Sequence, residues 1–328
     1  MCLKILNMIW ANLLHLSYNM WGDYVPEECK EIKIPSNTCE EASLWAYWYR
    51  PELIFDENIW DNLLKYMADV GMNMVVIDLG DGIVYESHPE ISVKNAWTPA
   101  RLKNELNKIR KLGIEPIPKL NFSTGHDAWL GEYSKMVSTD TYYSICKELI
   151  EEIIMLFEKP RFFHLGMDEE DAANQTKRNY IVVRQNDLWW HDLFIFINEI
   201  EKFNVRPWIW SDYGWHNSNM FFRKMPKSVL QSNWYYYLNF DIDTLDEAHK
   251  KFVKFYMDLE ANGYDQVPTG SNHFNQFNFV RTVEFCKKVI YPSRLKGFMN
   301  TAWRPTIEVC YDKHKEAINQ VAGAIKNF

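Results

Sequence analysis

Excess positive charge, clustered cysteine and long apolar runs are all missing from this chain, and each absence removes a class of protein. Acids outnumber Lys and Arg, for a formal net charge of −8. A broad grip on phosphate backbones needs clustered Lys and Arg, so nucleic acid is not an expected partner. The six cysteines (Cys2, Cys29, Cys39, Cys146, Cys286, Cys310) stand far apart, with no C-x-x-C pair and no accompanying His spacing. That argues against a zinc site, and no metal or cofactor is expected. The cysteines read as buried free thiols, with a Cys29–Cys39 bridge as the alternative. Residues 1–10 carry one Lys and a broken apolar stretch that Asn12, His15 and Asn19 prevent from extending. This is too weak for a signal peptide and too short for a membrane span. The cytoplasm is the default location, with periplasm or secretion open if a leader has been removed.

What the chain has is aromatic side chains, including 14 Trp and 18 Tyr, and a regular alternation of elements. Large rings fill cores, but they also line grooves in which the apolar faces of sugars stack. From residue 41 onward, short apolar runs alternate with longer amphipathic stretches, as in β/α units around a parallel sheet. Strands are expected at 44–49, 74–79, 114–122, 161–166, 207–210, 229–234, 266–269 and 297–302. Helices are expected at 57–70, 98–113, 141–157, 187–203, 244–262, 280–290 and 307–325. The second of these has Pro near its start and Gly at its end. Eight strands with intervening helices predict a (β/α)8 TIM barrel of class α/β, and about 250 residues suffice for one. No Gly-rich turn after the first run suggests a dinucleotide-binding sheet. Residues 1–40 do not fit the repeat and are expected to be an N-terminal extension or cap, with the barrel at 41–328.

Barrel enzymes place their sites at the C-terminal ends of the strands. The residues just after each run are Arg50, Asp78 and Asp81, Asn121 and His126, Asp168 and Glu169, Asp212, Tyr235 to Tyr237, Asn272 and His273, and Trp303. Acids, aromatics and histidines converge on one rim. The densest point is the fourth run, which ends in four consecutive acids, Asp168, Glu169, Glu170 and Asp171. Like charges this close repel, so at least one pKa is expected to rise, as a proton donor at neutral pH requires. Three readings are open: an acidic loop capping the next helix, a metal cluster of His164, Asp168 and Asp171, or the acid of a glycosidase.

The segment His164-Leu165-Gly166-Met167-Asp168-Glu169 resembles the His-x-Gly-x-Asp-Glu motif of the family 20 glycoside hydrolases, the β-N-acetylhexosaminidases. The stretch from Gly113 through Asn121 to Gly125-His126 is similar to that family's third-strand segment, with Lys119 and Asn121 where acids are usual. Arg50 is placed like an arginine that holds sugar hydroxyls. Trp210-Ser211-Asp212, Trp234 and Ala302-Trp303 are similar to its fifth-, sixth- and eighth-strand tryptophan segments. The likeness covers about residues 41 to 310.

The resemblance implies exo-acting hydrolysis of an oligosaccharide or glycoconjugate with the substrate's own acetamido group as nucleophile, an exception to the two-carboxylate rule. Glu169 would be the general acid and base, and Asp168 would orient the 2-acetamido group. Arg50, Asp78, His126, His164, Trp210, Asp212, Trp234, Tyr236 and Trp303 would contact the sugar. The chain departs from the family in three further ways. Its seventh-strand region, residues 270–274, has no Tyr; Arg304 follows the eighth-strand Trp where an acid is usual; and 40 residues are too few for the α/β domain that commonly precedes the barrel. Two alternatives therefore stand beside it: a conventional glycosidase with Asp212 or Asp78 as second carboxylate, and a barrel that binds glycans without cleaving them.

Overall fold

The computed structural model describes residues 8–27 and 37–328. Its eight strands are β1 (Ile9–His15), β2 (Met74–Asp78), β3 (Glu115–Lys119), β4 (Phe162–His164), β5 (Arg206–Trp210), β6 (Leu230–Ser232), β7 (Thr269–Ser271) and β8 (Gly297–Pro305). They pair in parallel in the order β6-β5-β4-β3-β2-β1-β8-β7. Parallel bridges Gln231–Gln266 and Trp234–Thr269 join β6 to β7 and close the ring. The expected (β/α)8 barrel is therefore the observed fold.

Nine α-helices belong to the described residues: α1 (Cys39–Ser43), α2 (Glu57–Asp69), α3 (Pro99–Lys111), α4 (Asp140–Leu156), α5 (Asn186–Glu201), α6 (Tyr213–Lys224), α7 (Glu247–Ala261), α8 (Asn278–Val289) and α9 (Tyr311–Asn327). Side-chain oxygens start several of them by accepting otherwise unpaired N–H groups. Asp56 caps α2, Thr98 caps α3 with Pro99 at its first position, Thr139 caps α4 and Asp246 caps α7. No helix among the described residues is long and apolar enough to cross a membrane.

Strand side chains alternate between two cores, as a period of two requires. Ile9, Ala11 and Leu13 of β1 and Met74 and Val76 of β2 meet Ile117, Trp208 and Met299 in one cluster. Trp10 and Leu14, with Val75 and Ile77, instead pack into the larger layer that includes α2 residues Trp60, Leu63 and Leu64.

The structure corrects the expected first strand and the boundary at residue 41. β1 lies inside the segment 1–40 and pairs with both β2 and β8, so the barrel begins before residue 41. Its apolar run was masked by Asn12 and His15, both buried. The stretch 44–49 opens with a 3-10 turn at Leu44–Tyr47. Its buried residues are the neighbours Trp45 and Ala46, which do not alternate and pack on Tyr18, Met20, Ile307 and Cys310. The seventh run lies slightly early relative to β7, and helix α6 was not anticipated.

Candidate active site

Across the C-terminal ends of the first five strands the register lines up His15, Asp78, Lys119, His164 and Trp208. Lys119 Nζ donates to Asp78 Oδ2 at 2.5 Å, and His15 Nδ1 lies 3.3 Å from the same oxygen. Burial opposes the Asp78 charge, but the Lys119 ammonium and the His15 ring together hold the carboxyl well below the usual range. His164 is buried against Trp208 and Trp210, and its Nδ1 accepts the Gly166 N–H at 3.0 Å. Burial, then the Lys119 charge, pushes its pKa well down. Asp78 and His164, expected among the sugar contacts, thus form part of a buried floor and line neither cavity described below.

Above this floor the chain after β4 turns sharply, with φ of 72° at Gly166, 73° at Met167 and 49° at Glu169. A Cβ at Gly166 would stand 1.9 Å from Asn121 Oδ1, so only glycine fits there. Asn121 stitches the β3 loop to this turn. Its Oδ1 accepts from Ser123 N at 3.0 Å and Met167 N at 3.2 Å, and its Nδ2 donates to Asp168 Oδ1 at 2.8 Å. Non-glycine residues held at positive φ store strain, and such turns cluster at functional sites.

The turn divides the four acids. Asp171 caps a short turn by accepting from Asn174 N at 3.0 Å. Glu170 pairs with the buried Arg184, Nε to Oε1 at 2.8 Å. Asp168 and Glu169 face His126, whose Nε2 lies 3.4 Å from Asp168 Oδ2 and 3.1 Å from Glu169 Oε2. Burial works against charging the His126 ring, but Asp168 and then Glu169 outweigh it and raise its pKa. The metal reading named the wrong histidine. Among the described residues, the acids and histidine whose ligand atoms come within 4.8 Å of one another are His126, Asp168 and Glu169. A protonated His126 between two carboxylates satisfies the same contacts without an ion.

Asp212 completes the cluster. Its Oδ2 accepts the Glu169 N–H at 2.8 Å and its Oδ1 accepts from Trp234 Nε1 at 3.3 Å. Burial first, then Asp168, pushes its carboxyl up to about 8. Repulsion from Asp168 thus adds to burial in raising a carboxyl that belongs to the β5 loop.

Two cavities meet at Glu169. The smaller, about 250 Å³, holds Asp168, His126, Trp210, Trp234, Tyr236 and Trp303, with Trp21 and Tyr47 at its side. Trp210 and Trp303 stand 5.9 Å apart between ring centres, and Trp234 stacks on Tyr236 at 4.9 Å. Trp303 Nε1 donates to the Tyr236 hydroxyl oxygen at 3.1 Å. The larger cavity, about 620 Å³, shares Glu169, Trp234, Tyr236 and Phe274 and adds Asp212, Tyr213 and Trp215.

Arg50 is not part of either lining. Its guanidinium lies over the Trp45 and Trp48 rings at 5.5 and 5.4 Å. Its backbone is held by the Asn19 amide, which also donates to Asp81 Oδ2 at 2.8 Å. Residue 50 does not end a strand, which removes the reason for placing it on the rim. Met20, Trp21 and Tyr47 were missed as cavity residues. Placing β1 at Ile9–His15 would have found the first two, since they follow that strand. Cys29 of the alternative Cys29–Cys39 bridge lies outside the described residues, and Cys39 is a free thiol.

No protein-family model matches the chain, and no curated protein matches it. Solved structures do match its fold. The GH20 exo-β-N-acetylglucosaminidase of Vibrio harveyi, solved with N-acetylglucosamine, aligns at a TM-score of 0.59 and 12% identity over 96% of this chain and 54% of that one. The GH20 β-N-acetylhexosaminidase of Streptomyces coelicolor A3(2) aligns at 0.60 and 11% over 97% and 64%. Dispersin B aligns at 0.57 and 14% over 86% and 96%. This chain spans 54% to 65% of the length of the first three such structures. At these identities the likeness is one of barrel fold.

Proposed function

We propose that this barrel is a glycoside hydrolase of the exo-acting β-N-acetylhexosaminidase type. The observation that carries the reading is the adjacent pair Asp168 and Glu169, held on a strained turn beside His126 at the edge of an aromatic cavity. Solved structures that share the fold include β-N-acetylhexosaminidases, among them one from Vibrio harveyi that holds N-acetylglucosamine, which favours the same substrate class here.

In this reading a terminal N-acetylhexosamine enters the smaller cavity between Trp210, Trp234 and Trp303. Glu169, at the junction of the two cavities, protonates the glycosidic oxygen as the leaving group departs into the larger one. The acetamido oxygen attacks the anomeric carbon from the other side. Asp168 accepts the acetamido N–H and stabilises the positive charge that develops. Tyr236 has its oxygen lone pair engaged by Trp303 Nε1, which leaves its O–H free to donate to the acetamido oxygen. That supplies, from the β6 loop, the tyrosine that residues 270–274 lack. Glu169 then takes a proton from the water that opens the cyclic intermediate.

The conventional two-carboxylate reading is weaker on this geometry. Asp78 is committed to Lys119 and His15 below the cavity. Asp212, pushed up to about 8, carries a proton at neutral pH and makes a poor nucleophile.

The test is hydrolysis of chromogenic N-acetylglucosaminide and N-acetylgalactosaminide by wild type and Glu169→Gln. The expected result is cleavage of at least one by wild type and a loss of about 10²- to 10⁴-fold in the variant, the usual worth of a general acid. If the variant matches wild type, Glu169 is not the acid. If neither glycoside is cleaved while N-acetylhexosamine still binds, the chain is a glycan-binding barrel.

A further inference from the structure

Two thiols lie side by side near the smaller cavity and take no part in the chemistry above. Cys39 opens α1, and Cys310 ends the short turn Glu308–Cys310 that follows β8. Around them Tyr18, Met20, Trp45 and Ile307 form an apolar cluster separate from the barrel cores. The Cys310 Sγ lies 3.9 Å from the Cys39 carbonyl oxygen, and both cysteines pack in that one cluster. Cys39 is half-buried and Cys310 fully buried, so a small solute meets Cys39 first.

We propose that Cys39 and Cys310 form a dithiol oxidation site, which hydrogen peroxide converts to an intrachain disulfide. The Cys39 thiolate attacks one peroxide oxygen and the O–O bond breaks. The departing hydroxide takes up the proton that Cys39 released and leaves as water, and Cys39 becomes a sulfenic acid. The Cys310 sulfur then attacks the Cys39 sulfur and the S–O bond breaks. The proton from Cys310 leaves with that oxygen as a second water. The two sulfurs together give up two electrons, and the peroxide takes them.

The surroundings assign the two sulfurs different roles. Donation from Cys310 favours Cys39 as thiolate, burial opposes it, and the Arg304 guanidinium adds to the stabilisation. The same interaction and burial push Cys310 far up. A thiolate beside an arginine is the reactive form, whereas burial raises Cys146 and Cys286 and leaves them inert. The bond would fasten α1, which leads directly to Tyr47, to the segment after Trp303, and both aromatics line the smaller cavity. Arg304 links the same region, donating to the Trp303 carbonyl at 3.0 Å and standing 2.9 Å from His273 Nδ1.

The experiment is a titration of the full chain with hydrogen peroxide, followed by alkylation of remaining thiols and non-reducing peptide mass spectrometry. The expected product is a linked peptide pair carrying Cys39 and Cys310, which separates again when a dithiol reductant is added. In Cys310→Ser, a 1,3-diketone probe should tag Cys39 as sulfenic acid, whereas Cys39→Ser should leave Cys310 a thiol. The proposal is overturned if both cysteines stay alkylatable at peroxide levels that oxidise free glutathione, or if Cys39 links to Cys2 or Cys29. The wild-type map stands even if a variant misfolds, and the readout is independent of any glycosidase activity.

Discussion

The backbone N–H of Glu169 donates to the carboxyl of Asp212 at 2.8 Å, so the acid proposed for β4 is positioned by a side chain from β5. Because the same carboxyl accepts from Trp234, one buried group ties together three loops. An unfolded Asp titrates near ~3.9, whereas Asp212 is pushed up to about 8. Between those values the folded chain holds a proton that the unfolded chain has released. Its contribution to stability is therefore full below about pH 4 and is lost as the pH rises through about 8. Asp81, pushed up to about 7 by burial, acts with the same sign. Denaturant unfolding should show stability falling from mildly acidic pH toward pH 8. Asp212→Asn should make that fall shallower by up to ~1.4 kcal/mol per pH unit. Parallel pH dependences for the two proteins would show that Asp212 is not protonated in the fold.

Tyr236 offers a cleaner test of the acetamido site. Tyr236→Phe keeps the ring stacked on Trp234 and removes only the hydroxyl that Trp303 engages. If that hydroxyl donates to the attacking oxygen, kcat on an N-acetylhexosaminide should fall by about 10²- to 10³-fold, with KM much less affected. A change confined to KM would make Tyr236 a wall of the cavity only.

Beneath the site, Lys119 and Asp78 form a buried pair with His15 at its edge. Lys119→Met strands the Asp78 carboxylate and is expected to cost ~3–5 kcal/mol. The double variant Lys119→Met, Asp78→Asn removes both charges and should recover part of that loss. Urea unfolding of the single and double variants measures it, and equal losses in both would mean that the Asp78 carboxylate is not stranded by the loss of Lys119.

Most of the barrel was legible in the sequence because parallel strands buried on both faces read as apolar runs and the helices carry their caps and stripes locally. Seven of the eight strands follow from that pattern. The eighth, β1, did not, because its buried Asn12 and His15 break the run, and only pairing with β2 and β8 makes the segment a strand. That one miss displaced Arg50 onto the rim and hid Met20 and Trp21.

Local sequence was enough to place Asp168 and Glu169 on the rim, because both follow the fourth strand on a turn that Gly166 makes possible. Which acid does what was decided only in three dimensions. Glu170 went to Arg184 and Asp171 to a cap, while the raised carboxyl appeared at Asp212, 43 residues after Glu169 in sequence. Charge coupling depends on distance and burial, and those come from the packing of loops that the sequence orders one after another but does not bring together.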